Sequence, residues 1–120
     1  MAGHSKWANT KYRKERQDKK RSAAFARLIK EITLQARDGD PNPDNNPGLA
    51  QALDRAKAAN VHFLATLGRH VNDNMCSIYI LAPGGIAVEY GYDGLLIDPE
   101  NHVPTVSVEG DLWGHEYDFP

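Results

Sequence analysis

Apolar residues recur at helical spacing in the stretch from Ser22 to Gly39. The repeat follows i, i+3, i+4, i+7 and i+11, and its positions are Phe25, Leu28, Ile29, Ile32 and Ala36. This spacing places the five side chains on one stripe of an α-helix. Ser22 or Asp18 suits the start of this helix as a capping residue, and Gly39 suits its end. Residues 1–20 are polar and basic, and they are expected to form an arm or a short docked helix.

A run rich in proline and Asx residues, 40–47, interrupts the helical pattern. Such residues favour turns, so the run predicts a loop. A second helix is expected after it, with Asn46 as N-cap and Pro47 at the first helical position, ending near Ala59. Its inward side chains are Leu49, Leu53 and Ala56. Two helices this short bury too little apolar surface to be stable alone.

After Asn60 the pattern becomes that of β-strands. From Met75 to Leu81, one face carries Met75, Ser77, Tyr79 and Leu81, and the other carries Cys76, Ile78 and Ile80. Pro83-Gly84-Gly85 predicts a turn into a partner strand over residues 86–90. A further short strand is expected over residues 105–108, within a Gly-, Pro- and acid-rich stretch. The aromatic tail, residues 112–119, is expected to cover an edge or a core opening.

The predicted fold class is therefore α+β. A basic N-terminal arm and a two-helix hairpin precede a partial antiparallel sheet of three or four strands, packed on the second helix. Two incomplete units are expected: a basic helical segment, residues 1–60, and a β segment, residues 61–120. An incomplete sheet leaves an open edge, so self-association is also expected.

Charge divides the chain as sharply as hydropathy does. Residues 1–30 hold ten of the fourteen Lys and Arg and carry a net charge of about +8, whereas residues 31–120 carry about −10. Clustered cations release the counterions of phosphates, so this asymmetry indicates a polyanion-binding segment on an acidic body. The whole-chain value of −2 hides this separation.

Other classes of protein are excluded or disfavoured. The single cysteine, Cys76, cannot form an intrachain disulfide, and its place on a predicted strand favours a small core residue over a nucleophile. The sequence has no apolar run of membrane-spanning length and no apolar N-terminal secretion signal. The expected location is the cytoplasm.

Four motifs in the first sixty residues resemble the N-terminal domain of the YebC/PmpR family. They are Met1-Ala-Gly-His-Ser-Lys-Trp-Ala-Asn9, Gln17-Asp-Lys-Lys-Arg21, Leu28-Ile-Lys-Glu-Ile-Thr33 and Asp54-Arg-Ala-Lys-Ala-Ala-Asn60. Members of that family are cytoplasmic transcriptional regulators or translation factors. The resemblance implies binding to DNA, RNA or the ribosome. The family's third helix and its two α/β domains would follow residue 60, and the different pattern of residues 61–120 is not expected to form them.

The basic segment supplies the candidate nucleic-acid-binding residues. Eight cations can pair with phosphates: Lys6, Lys11, Arg13, Lys14, Arg16, Lys19, Lys20 and Arg21. Trp7 and Tyr12 could stack on unpaired bases. Phosphate contacts carry no base information, so sequence readout is not expected. The alternative is a solvated basic arm without a preferred partner, in which Trp7 only anchors the arm to the helices.

Residues from about 52 to the end resemble the final part of the type I extradiol ring-cleavage dioxygenases, which have the vicinal oxygen chelate fold. The segment Gly68 to Gly91 carries His70, then Tyr79 nine residues later and Glu89 ten residues after that. Asp93-Gly94 and Trp113-Gly-His115 continue the match. By this resemblance, Glu89 is the carboxylate of a 2-His-1-carboxylate Fe(II) site. His70 and Tyr79 hydrogen-bond the catechol hydroxyls or the oxygen species beside it.

The two histidine ligands of that family lie upstream of the matching segment and are missing here. His4, His62, His102 and His115 do not match the ligand positions. The chain alone is therefore expected to be inactive and to need no cofactor, with Fe(II) only if the dioxygenase interpretation holds. If the dioxygenase interpretation does not hold, Glu89 is a solvated or hydrogen-bonded strand residue, His70 follows a turn and Tyr79 is a core residue.

Three functions remain open from the sequence. The first is a YebC-type regulatory protein that binds nucleic acid or the ribosome through residues 6–30. The second is a fragment of an extradiol dioxygenase with an incomplete iron site. The third is a fusion or truncation product without a selected function, since both resemblances meet inside one shared helix.

Overall fold

The computed structural model describes the backbone of residues 2–120 and the side chains of residues 6–120. Two helices precede four strands, with one short 3₁₀ turn between the helices. The elements are α1 (Ala2–Asp38), the 3₁₀ turn (Pro43–Asn45), α2 (Pro47–Ala58), β1 (His62–His70), β2 (Cys76–Leu81), β3 (Ala87–Tyr92) and β4 (Asp111–Gly114). The predicted α+β class is confirmed.

The basic segment is the first half of α1, which runs without interruption for 37 residues. The prediction of a helix start at Asp18 or Ser22 is wrong, because both residues lie inside the helix. Residues 4–21 contain no proline or glycine, and eight of these eighteen residues are Lys or Arg, which are good helix formers. Nothing in the sequence therefore stops the helix between Ala2 and the apolar stripe.

The second helix is close to its prediction. Asn46 is the N-cap, and its side-chain oxygen accepts the amide of Leu49 at 3.0 Å. Pro47 occupies the first helical position, where its missing N–H costs no hydrogen bond. The helix ends at Ala58, one residue before the predicted end.

The strands form one antiparallel sheet in the order β3-β2-β1-β4. The predicted hairpin is confirmed: Gly84 and Gly85 have φ of +95° and +85°, and β2 and β3 pair from Leu81 with Ala87 to Cys76 with Tyr92. The prediction of a strand over residues 105–108 is wrong, because the fourth strand is Asp111–Gly114, which pairs with β1.

One core joins the helices to one face of the sheet. Ile29 and Ile32 of α1, Leu49 of α2 and Ile78 of β2 are fully buried in it. α1 contacts β2 and β3 directly, whereas α2 contacts mainly α1, so the prediction that the sheet packs on the second helix is wrong. Residues of α2 share the same buried core. The opposite face of the sheet carries Ser77 and Tyr79, as the alternation predicted. Across residues 2–120, neither helix combines the length and the apolar character that a bilayer crossing requires.

Candidate functional site: a basic helix and a histidine-tyrosine-glutamate cluster

The basic half of α1 extends beyond the core. The first buried core residue on the helix is Phe25, and the molecule measures 65 × 38 × 25 Å along its principal axes. An α-helix rises about 1.5 Å per residue, so residues 2–21 reach roughly 30 Å past the packed part. Trp7 and Tyr12 are 65% and 66% exposed there. This half of the helix is therefore open to a partner on all sides.

The cations of residues 6–30 are solvent-exposed and carry no ion pair within the described part of the chain. All ten Lys and Arg between residues 6 and 30 are exposed, and the ion pairs found over residues 6–120 involve other cations. The ammonium of Lys11 lies 5.3 Å from the Trp7 ring, and the guanidinium of Arg21 lies 5.9 Å from the Phe25 ring. These contacts leave the charges available to phosphates.

A second group of polar side chains lies on the sheet face away from the helices. Tyr79 on β2 and Glu89 on β3 are directly opposite each other in the ladder, and His70 ends β1. The Tyr79 hydroxyl lies 3.4 Å from His70 Nε2, and that nitrogen lies 3.9 Å from Glu89 Oε1. The structure therefore brings together the three residues that the spacing singled out.

Asp73 orients the His70 ring. Its Oδ1 lies 3.0 Å from His70 Nδ1 and also accepts the Met75 amide at 2.9 Å. Burial alone would raise the pKa of Asp73, but the hydrogen bonds from Met75 and His70 outweigh it and lower that pKa. The ionised carboxylate accepts a hydrogen bond from His70 Nδ1, and the other ring nitrogen, Nε2, faces the Tyr79 hydroxyl.

Tyr79 stays neutral over the whole physiological range. Burial, together with the neighbouring Glu89 carboxylate, raises the pKa of Tyr79 to about 12. A phenol in this state donates one hydrogen bond and carries no charge. Tyr79 can therefore donate to an oxygen placed in the cluster but cannot act there as an anion at neutral pH.

His115 joins this cluster although its spacing did not match a ligand position. It is 4% exposed, and its ring centroid lies 4.9 Å from that of His70 and 5.8 Å from that of Tyr79. Nδ1 lies 2.8 Å from the Thr66 carbonyl, while Nε2 has no partner among the described residues. A Cβ at Gly68 would lie 2.6 Å from the ring, so only glycine admits His115 here.

The other histidines lie elsewhere. His62 Nε2 is 2.9 Å from the Asp118 carbonyl oxygen at the sheet margin, His102 is exposed in the loop before β4, and the side chain of His4 lies outside the described residues. Within residues 6–120, no three His, Cys, Asp or Glu side chains are arranged to hold a metal ion. One imidazole beside Glu89 does not make the ligand set that Fe(II) needs, so these residues do not fit the iron.

A large cavity of about 640 Å³ lies away from both groups. Its walls come from the loop after α1, from α2 and from the sheet, and include Leu53, Phe63 and Trp113. No cation of residues 6–30 and none of His70, Tyr79 and Glu89 lines it. The cavity therefore contains none of the residues that the sequence singled out as candidate sites.

The first half of the chain is similar to a known family of domains. Residues 5–63 match the TACO1/YebC protein N-terminal domain. A probable transcriptional regulatory protein of Pseudomonas putida is 44% identical over 97 residues, which is 73% of this chain and 39% of that protein. The transcriptional regulatory protein PmpR of Pseudomonas aeruginosa is 43% identical over 97 residues, with the same coverage. An Acidovorax relative of the same description is 57% identical over 61 residues.

Two solved dioxygenase structures resemble this chain over more than half of its length. BphC, a halotolerant catechol dioxygenase, superimposes with a TM-score of 0.51 at 34% identity, over 58% of this chain and 23% of that one. The 2,2',3-trihydroxybiphenyl 1,2-dioxygenase of Sphingomonas wittichii gives 0.52 at 34% identity, over 60% and 25%. The chain spans two fifths or less of the length of each of these relatives. Both predicted resemblances are confirmed.

Proposed function

We propose that this chain, which joins a segment of TACO1/YebC type to a sheet of extradiol-dioxygenase type, is a regulatory protein that binds nucleic acid. The binding surface is the basic part of α1, residues 6–30. One observation carries the proposal: ten exposed cations without ion pairs lie on a helix that extends past the core. The names of the relatives, which are transcriptional regulatory proteins, agree with a regulatory role.

The chemistry of this surface is that of phosphate binding. Each Lys or Arg that neutralises a phosphate releases condensed counterions, which favours binding at low salt. The eight cations from Lys6 to Arg21 supply these contacts, and Trp7 and Tyr12 supply aromatic faces. The remainder of the chain carries about −10 and repels a polyanion. Binding therefore orients the molecule with α1 toward the nucleic acid and the sheet away from it.

The partner presents an accessible phosphate backbone, whether as free DNA, free RNA or the RNA of the ribosome. The site of action is the cytoplasm, where all three are present. The two parts of the chain, residues 1–60 and 61–120, act as a binding segment and a supporting body that share one core. No cofactor takes part in this function.

Replacing Lys19, Lys20 and Arg21 together by Gln tests the proposal. The expected result is weaker binding to labelled DNA and RNA, with the slope of log affinity against log salt reduced by about 2 to 3. Fluorescence anisotropy over a salt series measures both. The matched control replaces Arg37, Arg55 and Lys57, three cations outside residues 6–30, and should leave the slope unchanged. Absence of salt-sensitive binding by the unmodified protein would remove the proposal.

Ring cleavage is the second candidate function, because His70, Tyr79 and Glu89 converge and the solved relatives are dioxygenases at 34% identity. In it, the Tyr79 hydroxyl would donate to a substrate oxygen, His70 Nε2 would accept a hydroxyl proton and Glu89 would be one iron ligand. The missing histidine ligands make us propose an inactive remnant. Anaerobic reconstitution with Fe(II), followed by catechol and air, should give no yellow ring-fission product, and its appearance would establish the enzyme.

A further inference from the structure

The apolar stripe of α1 continues into its basic half, where cations replace apolar side chains. Lys11 and Lys14 lie eighteen residues before Ile29 and Ile32, which is about five helical turns and places them on the same side of the helix. Trp7 also lies eighteen residues before Phe25, on the same side of the helix. Ile29 and Ile32 are fully buried, whereas Lys11 and Lys14 are exposed and Trp7 is 65% exposed.

The opposite side of the same turns is also cationic. Arg16 and Lys20 lie nine residues before Phe25 and Ile29, which is about two and a half turns and puts them on the outer side. Lys6, Arg13, Lys20 and Arg27 follow one another every seven residues, so they form a continuous line along that side. All four are exposed. Residues 6–21 therefore present cations on both sides of the helix, and Glu15 and Asp18 are the acidic residues among them.

A flat phosphate surface or a single strand contacts only one side of a helix and would leave half of these cations unused. The major groove of B-form DNA is about 12 Å wide, admits an α-helix and places a phosphate backbone on each flank. The major groove of A-form RNA is too deep and narrow for side chains to read. A helix with cations on two opposite sides matches the major groove of B-form DNA.

We infer that the nucleic acid is duplex DNA and that residues 6–21 of α1 lie in its major groove, with cations of both sides of the helix on the two flanking backbones. This inference rests on the proposed function. Sixteen residues of helix span about 24 Å, which is the length of roughly seven base pairs. The acidic body stays outside the groove, because packing of the helix begins only at Phe25.

The first test compares nucleic acids with the full chain. Anisotropy titrations use a labelled 20-base-pair DNA duplex, the RNA duplex of the same sequence and the single DNA strand. The expected affinity for duplex DNA is at least tenfold higher than for the other two. Glucosylated 5-hydroxymethylcytosine, which fills the major groove, should weaken binding at least tenfold, while netropsin in the minor groove should not change it.

The second test compares the two sides of the helix with charge-matched variants. One variant replaces Lys11, Lys14 and Arg21 by Gln, and the other replaces Arg13, Arg16 and Lys20. Binding in a groove predicts that both lower the salt slope by about 2 to 3 and weaken duplex binding to a similar extent, within about threefold of each other. An effect of only one variant would show one-sided contact and overturn the inference. Circular dichroism checks that both variants keep their helix content.

The outcomes separate this inference from the proposed function. Salt-dependent binding that shows no preference for duplex DNA would contradict binding in the major groove but not phosphate binding. Insensitivity to the major-groove modification would have the same meaning. Preference for the single strand overturns the groove and favours base stacking on Trp7 and Tyr12. Absence of salt-dependent binding to any of the three nucleic acids overturns both.

Discussion

The side chain of Asn46 connects the two helices and the loop between them by hydrogen bonds. Its amide nitrogen donates to the carbonyls of Gln35 and Asp40, both at 2.9 Å, while its oxygen caps α2. The side chain thus binds the end of α1, the loop and the start of α2 at once. The residue is 9% exposed, so water replaces none of these bonds easily.

Replacing Asn46 by Ala should destabilise the protein by about 1 to 3 kcal/mol, because it removes the N-cap of α2 and the donor to the part-buried carbonyls of Gln35 and Asp40. Chemical denaturation followed by circular dichroism measures the free energy of unfolding. The matched control is Asn42→Ala, which removes the exposed cap of the 3₁₀ turn and should cost under about 1 kcal/mol. Equal costs would mean that Asn46 is only a local cap.

The raised pKa of Tyr79 makes the free energy of unfolding depend on pH in the alkaline range. Its pKa is raised to about 12 in the folded protein by burial and by Glu89, whereas an unfolded tyrosine titrates near about 10. The neutral form is favoured by folding, so this contribution is complete below pH 10 and is lost as the pH rises toward 12. Tyr79→Phe should reduce the fall in Tm over that window, and Tyr12→Phe, at an exposed site, should not. An NMR titration of Tyr79 that gives an ordinary pKa would contradict this.

At the scale of elements, α1 is one helix with two different environments. Residues from Phe25 onward pack against α2 and the sheet, whereas the preceding half makes no core contact in the described structure. Isolated helical segments are marginal in water, so the basic half is stabilised mainly by continuing a helix that is anchored by packing. The anchor and the binding surface are therefore one element.

Two aromatic residues on the same side of α1 test this division. Phe25 is 7% exposed and Trp7 is 65% exposed. Phe25→Ala should reduce the free energy of unfolding by about 3 to 5 kcal/mol, because it leaves a cavity in the core. Trp7→Ala should change it by less than about 0.5 kcal/mol. A large cost at Trp7 would show that the basic half packs against the body.

At the scale of the whole molecule, the sheet has open margins. β3 pairs only with β2 within the described residues, and the stretch after it exposes Leu96, Val106 and Val108 at 95%, 96% and 97%. Unpaired strand edges and exposed apolar side chains favour association. We propose that the chain self-associates through the outer edge of β3.

A charge on that edge should oppose association. Ala87 is exposed at the start of β3, and Ala87→Lys places a cation on the edge. Sedimentation velocity over a concentration series should show a larger monomer fraction for this variant. Gln51→Lys adds a positive charge to the exposed side of α2 and should behave like the unmodified protein. A monomer at all concentrations in every case would contradict self-association.

The local elements were predictable because their signals are local. Phe25, Ile29 and Ile32 repeat at helical spacing, Asn46-Pro47 is a helix start, and Pro83-Gly84-Gly85 is a turn between alternating strands. The strand β4 was misplaced because residues 105–108 have strand-like composition but no partner, whereas residues 111–114 reach the open edge of β1. Strand formation there depends on pairing, which composition does not show.

The sequence by itself determined the charge separation, the class of fold, the two resemblances and the faces of α2 and β2, since each follows from residue identity and periodicity. Tertiary structure alone decided where α1 begins to pack, that His115 enters the cluster beside His70 and Tyr79, and that no three metal-ligating side chains of residues 6–120 converge on one point. These facts depend on distances between segments that are remote along the chain. Such distances are set by how the helices and the sheet pack together.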